Sequence, residues 1–332
     1  MFCTQHKSSM KKGIFKEQFS NSNERIKELD YLKCVFILLM IIFHLVYIGD
    51  KYPYAKQIVY TFHMSAFLII SGYLANIRKK ALPFFRAMLW IFIPYTFMEI
   101  GYVVMSSILP VREKVAEVSL PLLLYKVFIA PMGPYWYLHT LILCSSIYYI
   151  IYNLQIKLNN ISRFILVGIC LFMMSYYLQM MSFSNAIYFM MGIAVYQSKI
   201  HFISVFQPAF IAIIPFFILC CFPTNLDRGT LAGVAITYLA INIFLFSHQY
   251  LSKKIKNICY FIGRNTLIIL VFSPVFTILS KLFIPFFSFD PSGMCFMCTA
   301  VIFTVTGCFA IGWFTDKINL SRYCFGKKHI II

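Results

Sequence analysis

Lys33 and His44 stand eleven residues apart in RIKELDYLKCVFILLMIIFH (Arg25 to His44), a stretch that turns from polar to apolar along its length. On a helix of about 3.6 residues per turn this spacing is close to three turns, so both side chains leave one face, roughly 16 Å apart along the axis. A cation then sits at one edge of an apolar rod, and an imidazole lies deep toward the other. A ligand with a phosphorylated head and a long thin arm fits that pair. Imidazole exchanges a proton near neutral pH, and titratable groups among apolar ones mark a functional site or a water-filled cavity by default.

The other ionisable groups within apolar runs are His63, Glu99, His139, Arg264 and Lys281, with His248 at a run's end. Each also has a plainer reading. His63, His139, Arg264 and His248 fit an interface, where a polar group costs little; Lys281 fits a side chain reaching out to headgroups; Glu99 fits a partner for one of the cations.

The elements that must position these groups follow from composition. The chain has 332 residues, 61% of them hydrophobic and 12% charged, about half the charged share of a soluble domain. The expected fold is an all-α polytopic membrane protein of about ten transmembrane helices: 32–48, 58–75, 87–108, 135–153, 162–180, 184–197, 206–222, 230–248, 260–284 and 293–314. The apolar segment 119–131 is short and bounded by prolines, which fits an interfacial or re-entrant helix. No small-residue cleavage site follows the first run, so it reads as a retained helix and not a signal peptide.

The net charge of +18 does not point to nucleic acid. The basic residues fall mostly in alternate loops, among them Arg78, Lys79, Lys80, Arg86, Lys253, Lys254 and Lys256, whereas the opposite loops hold few, including Lys51, Lys56, Arg112, Lys114 and Arg228. By the positive-inside rule both termini are cytoplasmic. The chain divides into a basic N-terminal tail (1–29), a transmembrane domain (30–315) and a basic C-terminal tail (316–332). Cys295 and Cys298 form a lone C-x-x-C without the further ligands a zinc site needs, so no metal is expected.

RIKELDYLKCVFILLMIIFH resembles the opening motif of the acyltransferase-3 family of integral membrane acyltransferases, whose first helix carries an R-x10-H pair. FHMSAFLIISGYL (Phe62 to Leu74) is similar to its second-helix signature, ending in Ser71, Gly72 and Tyr73. Ile93-Pro94-Tyr95 follows in the third helix. GPYWYLHTLIL (Gly133 to Leu143) resembles the W-[FY]-L block of the polysaccharide O-acetylase branch, and IGRNTLIILVFSP (Ile262 to Pro274) the late I-G-x-x-[ST]-L helix. The blocks keep the family's order over about residues 25–315. Three positions depart from the pattern: Lys33 replaces Arg, R-K-K-A at Arg78 to Ala81 lacks the R-x-x-R spacing, and Ser273 stands where histidine is common.

The resemblance implies an acyl-CoA co-substrate, most often acetyl-CoA, at the cytoplasmic face of a cell inner (plasma) membrane, and a saccharide hydroxyl as acceptor. Under it His44 is the general base or carries the acyl group covalently, and Glu99 orients or charge-balances it. Lys33, Arg78, Lys79, Lys80 and Arg86 hold the CoA phosphates as charges. Ser71 and Gly72 complete the donor site, with Gly72 letting backbones close around the thin arm. His63, Trp136, His139 and Lys281 face the acceptor. A transporter of glycans or small anions also uses polar groups within helices, but the chain shows no inverted repeat of the kind such folds carry.

Overall fold

The structure is a computed structural model that describes residues 25–108, 115–155 and 157–331. The first 24 residues, with Lys7, Lys11, Lys12 and Lys16 of the basic tail, lie outside the described residues, as do Arg112 and Lys114. Among the described residues the secondary structure is helical throughout, with no strand.

The main helices are α1 (Lys27–His44), α2 (Val46–Lys51), α3 (Pro53–Leu74), α4 (Ala81–Ile108), α5 (Leu120–Phe128), α6 (Trp136–Asn153), α7 (Asn160–Tyr176), α8 (Phe183–Gln197), α9 (Phe202–Val205), α10 (Ile213–Cys220), α11 (Leu231–Tyr250), α12 (Lys253–Arg264), α13 (Thr266–Leu279), α14 (Met294–Lys317) and α15 (Ser321–Cys324). Six segments are long and apolar enough to cross a membrane: Pro53–Leu74, Ala81–Ile108, Leu120–Asn153, Leu231–Tyr250, Thr266–Phe287 and Met294–Lys317. The other four expected spans are helical but miss that standard. α1 carries Lys27, Glu28, Asp30 and Lys33 in its first half, and α7, α8 and α10 are 17, 15 and 8 residues long. At nine residues α5 is too short to cross alone, which agrees with reading 119–131 as something other than a further span. Large apolar side chains such as Leu82, Phe97, Ile211 and Leu231 are open at the periphery, as lipid-facing positions require.

α1 lies at the centre, packed against α3, α11, α12, α13 and α14. Its Phe36, Ile37 and Ile41 are fully buried. α3 in turn packs most extensively on α8, and two glycines set that approach. A Cβ on Gly72 would lie 2.2 Å from the Phe189 carbonyl oxygen, and one on Gly192 would lie 2.0 Å from that of Ile69. In lipid, where burial of apolar surface drives little association between helices, such close backbone contact is what holds them. Gly192→Ala forces the pair apart and lowers stability by about 1–3 kcal/mol, the range for overpacking. Heat unfolding of the protein in detergent measures it.

Two expected spans are broken, and both breaks bear on the site. The first, 32–48, stops at His44: Leu45 is extended (φ −66°, ψ 103°) and α2 starts afresh. The Phe43 carbonyl, which a continuing helix would pair with residue 47, instead accepts from Tyr60 Oη at 3.1 Å. The second, 260–284, divides at Asn265. Residues up to Arg264 belong to the amphipathic α12, and the membrane-length segment begins at Thr266. α12 is drawn onto α1 by Gly263, where a Cβ would fall 1.8 Å from the Asp30 carbonyl oxygen.

The described part of the C-terminal segment packs against the helices. Phe325 and Ile330 are buried, and the Ile330 amide donates to the Asp316 carboxylate at 2.8 Å. At the opposite turn, before α14, the Asp290 carboxylate accepts from Ser292 Oγ and the Cys295 amide. Those bonds hold it below the usual carboxylate range.

Candidate active site

His44 ends α1 with its ring turned back on its own helix. Nδ1 lies 2.7 Å from the Met40 carbonyl oxygen. A carbonyl only accepts, so the proton is on Nδ1, and the Nε2 lone pair is left for chemistry. His63 on α3 repeats the arrangement: Nδ1 donates to the Val59 carbonyl at 2.7 Å, and its buried Nε2 has no hydrogen-bond partner. Tyr60 stands between the two imidazoles, its ring centroid 5.9 Å from His44 and 5.3 Å from His63.

Both histidines line a cavity of about 510 Å³ with Lys56, Gln57, Tyr60, Trp136 and Arg228. Pro53, Met64, Leu226 and Asp227 complete the wall. This is the size of a small-molecule site. α3, α6 and the turn before α11 converge here. The Thr61 hydroxyl holds the turn by donating to the Leu226 carbonyl at 2.7 Å, and Arg228 lies over the Trp136 ring at 5.3 Å.

At the other end of α1, one buried carboxylate gathers three cations. Asp30 pairs with Lys33 Nζ at 2.8 Å and with Arg25 Nε at 2.5 Å, and Arg264 Nε lies at 3.7 Å. Three positive charges on one negative leave an excess at that edge. Because α1 is unbroken from Lys27 to His44, Lys33 and the imidazole are separated by roughly 16 Å of helix.

A family model described as an acyltransferase domain, Acyl_transf_3, matches residues 26–313. The chain belongs to the acyltransferase-3 family. No curated protein and no solved structure gives a match. With its lipid-facing helices the chain is a multi-pass membrane acyltransferase.

Of the residues singled out in the sequence, the acyltransferase brings His44, His63 and Trp136 into one cavity. Glu99 is not among the cavity's lining residues. It is fully buried on α4, and its Oε1 accepts from the Met132 amide at 2.5 Å. The His44 ring is oriented by the Met40 carbonyl of its own helix. His139 is also outside the cavity wall: Nε2 meets the Phe128 carbonyl at 3.0 Å, tying α6 to the end of α5. Lys281 is exposed on the 3-10 turn after α13 and does not line the cavity.

Gly72 is occupied by the α8 crossing described above. Ser71 Oγ donates to the Phe67 carbonyl and is 2.7 Å from Tyr137 Oη. Arg78, Lys79, Lys80 and Arg86 are exposed on the α3–α4 loop and the first turns of α4. That loop is fastened to α6 by Tyr149 Oη on the Lys79 carbonyl and by Asn153 Nδ2 on that of Ile77, at 2.8 and 3.1 Å. His63 precedes Leu74, the end of α3, by eleven residues, so the basic loop begins roughly 16 Å along the helix from the cavity.

Sequence reasoning passed over Asp30, Tyr60, Lys56 and Arg228. Asp30 had a visible signal, an acid three residues before Lys33 on a helix face. The others had none beyond being polar groups near the ends of apolar runs.

Proposed function

We propose that the protein transfers an acyl group, most often acetyl, from cytoplasmic acyl-CoA to a hydroxyl of a cell-surface or lipid-linked saccharide in the inner (plasma) membrane. Both termini and the Lys33 end of α1 face the cytoplasm in this reading. The observation that carries it is His44: a fixed imidazole with Nδ1 committed to Met40 and Nε2 left over, lining a cavity that can hold an acceptor.

The acceptor hydroxyl gives its proton to His44 Nε2 as its oxygen attacks the thioester carbon. The carbon–sulfur bond then breaks, and the departing thiolate takes the proton from the imidazolium. The products are an ester and free CoA. His44 stands at the C-terminal end of α1, where the helix dipole favours the positive charge the ring acquires. Tyr60 packs between His44 and His63 and keeps both rings in place. The excess positive charge around Lys33, with Arg78, Lys79, Lys80 and Arg86 on the neighbouring loop, receives the phosphates of the donor as point charges and guanidinium forks.

The test is to incubate the purified protein in detergent, with no sealed compartment, with labelled acetyl-CoA and saccharide, and to weigh the product by mass spectrometry. Acylated saccharide supports the reading. A transporter leaves none, and that result sinks it. Lys33→Ala is expected to raise the acyl-CoA concentration giving half-maximal rate by about tenfold, the worth of a charge-assisted hydrogen bond. An unchanged requirement removes Lys33 from the donor site.

A further inference from the structure

We infer that the acceptor is an acidic saccharide, one carrying a carboxylate or phosphate, and that Arg228 receives the acid group. This rests on the acyl-transfer reading and names the substrate class for the same cavity.

Arg228 is held in place by its surroundings. Its carbonyl accepts from Tyr188 Oη at 2.8 Å. The Asp227 carbonyl accepts from Thr230 Oγ1 at 2.8 Å. Gly233 allows the turn to sit on α11, since a Cβ there would lie 2.3 Å from the Asp227 carbonyl oxygen and 2.7 Å from the Arg228 Cα. The guanidinium is half-buried against Trp136. Among the described residues no carboxylate lies within ion-pair distance of it. The acid beside it in sequence, Asp227, is exposed and accepts from the Gly229 amide at 2.8 Å.

Lys56 adds a second cation to the same wall, with Nζ 5.5 Å from the Tyr60 ring centroid. Lys56 and Arg228 are the two basic side chains that line the cavity. An arginine whose backbone is fixed by hydrogen bonds and whose guanidinium lies over an aromatic ring is arranged to bind a planar carboxylate or a phosphate through two parallel hydrogen bonds. His63 Nε2, buried and unpaired in the same wall, accepts from a sugar hydroxyl.

The donor does not account for these cations. Its phosphates belong at the Lys33 edge, roughly 16 Å along α1 from His44. An acetyl group carries no charge. The acid group that Arg228 is built to meet is left to the acceptor.

The experiment uses the full chain in detergent with labelled acetyl-CoA and an envelope glycan pool separated by anion exchange into acidic and neutral fractions. Label is expected in the acidic fraction. Arg228→Gln should raise the glycan concentration for half-maximal rate by about tenfold to a hundredfold, the range for hydrogen bonds to a charged group. The maximal rate should stay within about threefold, because the lost contact is made before the transition state. Arg228→Lys keeps the cation over Trp136 and should fall between the two. Chemical reduction of the pool's carboxyl groups abolishes labelling if the group is a carboxylate, and dephosphorylation abolishes it if the group is a phosphate.

Labelling of the neutral fraction with equal efficiency overturns the inference. So does labelling that survives both treatments, or an Arg228→Gln protein with an unchanged requirement. An effect of Arg228→Gln seen with succinyl-CoA but not with acetyl-CoA moves the acid group to the donor and overturns it as well. Label in no fraction instead overturns the acyl-transfer reading, and this inference with it.

Discussion

The His44→Ala protein is expected to reach the membrane, fold, and lose acyl transfer by about 10²–10⁴-fold, the usual contribution of a positioned general base. Folding should survive because His44 stands at a helix end beside a cavity, and its Nδ1 bonds to the Met40 carbonyl of its own helix. Equal heat stability of the two proteins in detergent would establish this. The wild-type rate should fall as pH is lowered, because a proton on Nε2 fills the lone pair that accepts the acceptor's proton. The variant should lose that acid limb along with the activity. Its residual turnover should be flat with pH. Wild-type turnover in the variant would remove His44 from the chemistry. The same protein also separates the two roles an imidazole can take. As a carrier, Nε2 attacks the thioester, thiolate leaves, and acyl-imidazole accumulates on the protein when donor is supplied without acceptor. As a base, it leaves the protein unlabelled under those conditions.

His44 was legible because a helix repeats: eleven residues from Lys33 fixed both a face and a distance, and α1 is continuous between them. What the spacing could not show is that α1 ends at His44. That break depends on Tyr60, which takes the Phe43 carbonyl from seventeen residues further along the chain. Glu99 illustrates the opposite outcome. A carboxylate in an apolar run needs a partner, and the sequence offered several cations. The Glu99 Oε1 accepts from the backbone amide of Met132, a partner that no pattern of side chains can announce. Arg228 was visible only as one basic residue in a loop. Its value comes from the turn at Leu226–Thr230, which the Thr61 and Tyr188 hydroxyls on α3 and α8 hold over Trp136 of α6. Helices, their apolar faces and the first-helix pair follow from local periodicity. The cavity's charge follows from contacts between distant segments, which periodicity does not encode. The break at Asn265 lies between these cases: an amphipathic run meets an apolar one there, and a single long hydrophobic window hides the joint.

Asp30→Ala is expected to cost about 3–5 kcal/mol of stability, the loss that follows when one member of a buried ion pair is removed. Asp30 is 2% exposed, and the Lys33 side chain beside it is 16% exposed. Arg25 and Arg264 are 46% and 36% exposed, so water screens them and they add little. Most of the loss therefore belongs to the Asp30–Lys33 pair: with the carboxylate gone, a lysine stays among α1, α12 and the core with no counter-charge. α12 is seated against the Asp30 backbone through Gly263, and an uncompensated cation at that joint works directly against the contact. The measurement is heat or denaturant unfolding of the protein in detergent, carried out as a cycle with Lys33→Met. Removing both charges leaves an apolar stem of similar length and no buried ion, so the double variant should recover much of the stability that Asp30→Ala loses. The coupling between the two positions is expected at about 2 kcal/mol or more, against the few tenths typical of independent sites. A coupling near zero would mean that the pair is solvated and that Asp30 does not set the position of Lys33. The cation at the donor edge would then be free to swing, and the fixed distance from Lys33 to His44 would no longer measure the reach of the donor.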